Sequence, residues 1–423
     1  MSSPPEDTAP RSLLHSLPRP AWLLLLAFVF AIPWEYSLDL GEPLGNVARF
    51  LGVLLLLASV PVALARGRVR PPGLVQALVL ALYLWFCLTC LWSIDPATTL
   101  IKLRAFFQEM MVVALVWEFA ESTNDLRNLL RALVAGCWML ALLTLYAFRS
   151  SEAIALQQVR FSAYGQDPND VARFLDLGLP LAALVARTDA RRAVRWLALA
   201  YLPAALAAIV LTASRGGVLA ALVALSGSAL LLLRGRARVQ LAAFFALPVL
   251  VATVWIAIPR AILERLATTP GELRSGSLNL RMEIWQMGWR AFTHAPLLGH
   301  GMGNFTLAAG LSPNDTAHNT PLAITVGGGL VALFLSLAIV FAVLRAILSL
   351  PHSPRLAFLT AVTVWIITSM TATAEESRFT WLLVALPALA ARLQQDEPVR
   401  MAACFPAPSE AALHPAAPEP LAP

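Results

Sequence analysis

His318 is the residue best placed to do chemistry. It lies in Asp315-Thr316-Ala317-His318-Asn319-Thr320-Pro321, where a polar stretch meets a long apolar run. Thr316 or Thr320 could cap the helix that follows, with Pro321 in its first turn. A histidine at a helix N-terminus has its cationic form disfavoured by the dipole. It would be neutral near pH 7 and able to accept a proton. Asp315, three residues back, could orient the ring or raise its basicity. Gly329 follows after eleven residues, close to three helical turns. The two would then share a face, with the glycine admitting a neighbouring helix. A histidine that only caps the helix, or sits at a membrane interface, would show the same local features.

Arg215 is the second candidate. In Thr212-Ala213-Ser214-Arg215-Gly216-Gly217, Ser214 could cap a helix while two glycines let a ligand approach the backbone. Free N–H groups and a positive dipole end beside a guanidinium suit a phosphate. A tight interhelical turn with its arginine at the headgroups is the alternative. His294 and His300 are not at metal-ligand spacing with any cysteine or acidic pair and read as structural. Cys87, Cys90, Cys137 and Cys404 form no paired metal or redox motif.

The elements that must position these residues are membrane helices. Of the 423 residues, 58% are hydrophobic and 13% charged. Apolar runs of about twenty residues recur from end to end, without the alternation of barrel strands. The spacing predicts an all-α polytopic protein with twelve spans, at 20–38, 45–65, 73–93, 100–120, 125–147, 169–187, 193–212, 214–234, 238–258, 320–350, 355–373 and 377–394. Arg173 and Asp176 interrupt the sixth. The organisation expected is a cytoplasmic tail (1–19), nine spans within 20–258, a polar loop domain (259–319), three spans within 320–395, and a disordered tail (396–423). No cleavable signal peptide is expected.

The net charge of +6 comes almost wholly from arginine and points to cytoplasmic loops rather than nucleic acid. Arginines follow spans two, six, eight and ten, which places both termini in the cytoplasm. Loop 259–319 and the turn at Ser214 then face outward. Charges gather toward that outer face: Arg49, Lys102, Arg104, Glu109, Arg160, Asp167, Asp170, Arg215, Glu375, Glu376 and Arg378. Each could be functional or could snorkel to the interface.

Several segments occur in one order: Arg160-Phe161 with Asp167-Pro168-Asn169, then Ser214-Arg215-Gly216, then Arg281 with Trp285, then Pro296-Leu297-Leu298-Gly299-His300-Gly301-Met302-Gly303-Asn304-Phe305, and finally His318-Asn319 with Gly329. Across residues 20 to 395 the chain resembles the O-antigen ligase and polymerase superfamily of bacterial inner membranes. The histidine-to-glycine spacing is most similar to the O-antigen ligase (WaaL) branch. The resemblance implies a GT-C-like, inverting glycosyltransferase that needs no metal or nucleotide cofactor. Its donor is a glycan on undecaprenyl pyrophosphate, its acceptor lipid A–core, its surroundings membrane lipids, and its active site periplasmic. It assigns the essential histidine to His318 and the essential periplasmic arginine to Arg215. A second loop arginine falls on Arg265 or Arg281, and Arg160 is a further candidate for the diphosphate. Relatives with polymerase or protein O-oligosaccharyltransferase activity share these residues. A lipid-linked glycan transporter would instead place polar residues near the midplane and show internal repeats, neither of which is evident.

Overall fold

The computed structural model describes residues 19–42, 44–67, 69–150, 160–233, 260–267, 281–313 and 315–405. The described elements are helical, and the one β-bridge among them joins Asp39 to Asn46. In chain order the helices are α1 (Arg19–Ala31), α2 (Val47–Arg66), α3 (Leu74–Leu88), α4 (Pro96–Phe119), α5 (Thr123–Ser150), α6 (Pro168–Thr188), α7 (Arg192–Leu211) and α8 (Arg215–Leu233). There follow the short α9 (Arg260–Ala267), α10 (Arg281–His294) and α11 (Phe305–Ala308), then α12 (Thr320–Leu348), α13 (His352–Ser369), α14 (Arg378–Asp396) and α15 (Pro398–Cys404). Helices occupy eleven of the twelve expected span positions; the run at 238–258 lies outside the described residues.

Seven described segments are long and apolar enough to cross a membrane: Pro20–Ser37, Val47–Leu64, Leu74–Leu91, Thr123–Ser150, Arg192–Leu211, Arg215–Leu233 and Thr320–Leu348. This is an all-α membrane protein. Leu57, Leu64, Phe334 and Phe341 are between 65% and 75% exposed, which suits a hydrocarbon solvent and not water. The more polar α6 and α14 sit inward. Every residue of α6 from Val171 to Ala186 is buried, as is most of α14, so these helices can carry charge away from lipid. Helix α6 packs on α7, α8 and α13, whereas α14 packs on α4 and α12.

Several of the charges that stand out in the sequence are paired inside the protein. Arg378 bonds Glu35 and also donates to Gln108 Oε1 at 3.1 Å, tying α14 to the 3₁₀ turn Ile32–Ser37 and to α4. Of the tail 396–423 expected to be disordered, residues 396–405 instead continue into α15, where Met401 and Phe405 are buried at 0% and 1% exposure against the helical core, and 406–423 lie outside the described residues. Burial of those two side chains explains why an Ala/Pro-rich segment orders there.

Helix α12 is broken at Gly329, which has φ 68° and ψ −166°. The shared helical face expected for His318 and Gly329 is therefore lost. The break frees backbone groups that must find other partners. The connector 296–301 supplies most of them. His300 N–H donates to Val326 O at 2.8 Å, Gly301 N–H to Gly327 O at 2.9 Å, and Leu330 N–H to Pro296 O at 2.9 Å. Trp85 Nε1 donates to Gly328 O at 2.8 Å. The close neighbour of Gly329 is thus a loop and not a helix. A Cβ on Gly329 would lie 2.1 Å from Leu297 O. Non-helical backbone in a span is tolerated where protein buries it in this way.

Candidate functional site

The site is assembled at three helix starts. Asp167 caps α6, accepting from Asn169 N–H at 2.7 Å, with Pro168 in the first turn. Ser214 caps α8 as the sequence suggests, accepting from Gly217 N–H at 3.3 Å. At α12 the cap is Asn319, which accepts from Leu322 N–H at 2.9 Å, and not Thr316 or Thr320. The Thr320 hydroxyl is engaged elsewhere: it donates to Ala372 O at 2.9 Å and accepts from Ala374 N–H at 2.7 Å. That strap fixes segment 370–377 against the start of α12.

Asn169 joins the first two starts. Its Oδ1 accepts from Arg160 Nη2 at 2.7 Å and from Ser214 Oγ at 3.0 Å. Arg160 also donates through Nε to Thr212 O at 3.1 Å. Arg215 donates through Nε and Nη2 to the backbone carbonyl of Arg265, both at 3.3 Å. Trp285 Nε1 donates to Ala317 O at 3.0 Å, pinning α10 beside His318. Arg281, the first residue of α10, lines a cleft with Arg173, Asn169, Ser214, Gly216 and Gly217.

Electrostatics tie the same groups together. Burial holds the His318 imidazole below its ordinary pKa, and the Arg281 charge lowers it further, while Asp167 and Asp315 pull it up. The proton is kept off by desolvation and a neighbouring guanidinium. Asp315 makes no hydrogen bond to the ring among the described residues; its carboxylate accepts from Ser312 N–H at 3.1 Å and acts through space. Burial also lowers Arg160 and Arg281, and Arg215 lowers both; Asp167 opposes the shift in each. Arg265 and Arg281 both act on Arg160, and Arg281 acts also on His318.

Two backbone positions at this site are unusual. His318 has φ 45° and Ala213 has φ 49°, and no other described residue besides glycine has positive φ. Left-handed backbone in alanine is uncommon, and such strain concentrates where a neighbouring side chain must be aimed. One directs the imidazole itself; the other immediately precedes Ser214-Arg215.

A cavity of about 600 Å³ opens beside the α12 start, between α3, α4, α12, α13 and α14. Asp315, Thr316, Ala317 and Thr320 line its polar end with Lys102, Glu375 and Glu376. Leu333, Leu337, Val340, Val343, Val362 and Ile366 line its apolar part. Lys102, the only lysine in the chain, bonds Glu376 at 2.6 Å. Burial first, and Glu376 second, push the Glu375 carboxyl up to about 8. The rim is therefore less anionic than its three carboxylates suggest.

Residues 200–337 match the family model for O-antigen ligase. The match covers about a third of the chain, which over that stretch is similar to the family. The matched region runs from within α7 into α12 and contains Arg215, Arg265, Arg281, His318 and Gly329. Arg160 lies outside it. The family implies ligase- or polymerase-type glycosyl transfer. Comparison with curated proteins finds no match. His294 and His300 bond backbone carbonyls, of Arg290 at 2.7 Å and Ala291 at 2.8 Å. Sequence reasoning passed over two features of the site. Asn169 joins Arg160 to Ser214, a role that its place in Asp167-Pro168-Asn169 did not reveal, and Arg173 lines the cleft, hinted at only as an arginine inside an apolar run.

Proposed function

We propose that this protein is an O-antigen ligase. It transfers a polysaccharide from undecaprenyl pyrophosphate to lipid A–core at the periplasmic face of the bacterial inner membrane. The observation that carries the reading is the half-buried His318, its pKa depressed, held beside Arg281 within a cluster that includes Arg160 and Arg215. The adjacent apolar cavity supports it.

In the proposed reaction an acceptor hydroxyl oxygen attacks the anomeric carbon from the face opposite the leaving group. His318 takes the hydroxyl proton as general base, a contribution of roughly 10²–10⁴-fold. The bond from the anomeric carbon to the diphosphate oxygen breaks, and its electron pair leaves with the diphosphate. Anionic charge grows there, so guanidiniums aimed at it stabilise the transition state more than the ground state. Arg215 and Arg281 fill that role, with Arg160 behind them. Arg265 supplies the carbonyl that aims Arg215. The arginines take the place of a divalent cation. The cavity takes the first isoprene units, the rest of the carrier lying in the bilayer. The arginine-rich short loops support cytoplasmic termini, twelve crossings and an outward-facing loop 259–319.

Purified protein, a polyprenyl diphosphate-linked glycan and lipid A–core test this directly. Glycan attached to core, unaffected by EDTA, is expected. Glycan extended only on its carrier would replace the ligase by a polymerase. EDTA inhibition restored by magnesium would overturn the metal-free step.

A further inference from the structure

Arg173 lies in the second turn of α6 and is 2% exposed. Its Nη2 meets Asp170 Oδ1 at 2.9 Å. Its Nε and Nη1 are shut off from solvent and have no partner among the described residues. A guanidinium carries five N–H donors, and desolvating them without an acceptor costs more than an ordinary hydrogen bond returns. An acceptor is therefore called for on this side of the group.

The space available says what kind. Arg173 lines the cleft that also holds Arg281, Ser214 and Asn169 and that borders Gly216 and Gly217 in the first turn of α8. First-turn amides lack acceptors inside their own helix and favour anions, although that of Gly217 is already met by Ser214 Oγ at 3.3 Å. The cleft is about 20 Å³, room for one oxygen-sized group. A water could satisfy the nitrogens, but two guanidiniums at a helix N-terminus favour an oxygen that carries charge. The body of such a ligand would stand outside the cleft.

We propose that the cleft takes a phosphoryl oxygen of a diphosphate and that Arg173 is its innermost ligand. This rests on the reading above, in which the glycan arrives on a diphosphate. Arg215 and Arg281 bind from the outer side, so the phosphate is held between α6, α8 and α10. Arg173 is a binding residue and takes no part in proton transfer.

The test uses the full chain in detergent, with inorganic pyrophosphate and a short polyprenyl diphosphate as probes. In the unaltered protein both should slow hydrogen exchange at residues 169–173 and 214–217. Arg173→Met should weaken binding of both by about tenfold or more. Arg173→Lys keeps the charge but loses the planar fork, and should fall between. No protection in the unaltered protein means that the cleft holds water only, and the proposal fails. It fails equally when folded Arg173→Met binds both probes as tightly as the parent. Loss confined to pyrophosphate would keep the anion site but remove the lipid carrier as its ligand. Failure of the wider reading looks different: glycan transfer from a polyprenyl diphosphate would be absent while pyrophosphate protection persists.

Discussion

Beside the α8 start, Arg160, Arg173, Arg215 and Arg281 gather with Asp167 and Asp170; at the cavity rim, Asp315, Glu375 and Glu376 gather with Lys102. The first group leaves positive charge to be met by a ligand, and burial already lowers two of its guanidiniums. The second largely settles its own charge: Lys102 bonds Glu376, and Glu375 holds its proton to about pH 8. The first therefore fits a diphosphate, and the second fits hydroxyl groups and an isoprenoid chain. His318 is coupled to both, through Arg281 on one hand and Asp315 on the other. A base so placed can take a proton from a neutral acceptor while an anion departs on the basic side.

The largest way to break this comparison is His318→Ala. Transfer by the purified variant should fall by at least about 10²-fold, with membrane insertion and unfolding temperature unchanged. Near-normal product would leave the two regions without a shared reaction. Arg281→Met comes next. The rate should drop by roughly tenfold to a hundredfold, because a charge-assisted contact to the leaving group is lost. It should also change the pH profile. The base works when neutral, so the rate falls as pH drops through the pKa of His318. Burial and Arg281 put that limb below the ordinary value of 6.5. Removing Arg281 should move it upward. A limb that stays put in the variant would separate Arg281 from the imidazole.

How much of this was legible in the sequence differs between the two regions. Charges stand out in an oil-rich chain, so Arg215, Arg160 and His318 could be picked out by eye. Ser214 as a cap also follows from local rules alone. The sequence left Arg281 and Arg265 equal, because the docking of Trp285 on Ala317 that brings α10 to His318 joins residues far apart in the chain. Arg173 looked like a flaw in a span; only packing shows that α6 is buried on all sides. The cavity was invisible for a different reason. It is bounded by helices far apart in sequence, and the break in α12 depends on the connector 296–301. Three consecutive glycines hinted at close packing, but not at a loop filling the break.

That break offers the third test. Gly329→Ala puts a Cβ 2.1 Å from Leu297 O at a left-handed φ of 68°. The loop and the helix would have to separate, at a cost of about 2–3 kcal/mol or more. The unfolding temperature should fall, and activity with it, since the cavity side is reshaped. Binding of pyrophosphate at the arginine side should change less. Equal loss of both would show that the two regions are not mechanically distinct.

The smallest effect concerns Glu375. Its folded pKa of about 8 lies above the ordinary value of 4.5, so the folded protein keeps a proton that the unfolded chain gives up. The stability tied to that proton is full below pH 4.5 and is lost as pH rises to about 8. Glu375→Gln removes the ionisation while keeping the shape. Relative to the parent, the variant should gain stability steadily across that window and hold a constant advantage above it. Thermal unfolding in detergent over a pH series measures the difference. A flat difference would mean that Glu375 is ionised at neutral pH. The rim would then be anionic, and a diphosphate-bearing carrier could not pass it without a further cation.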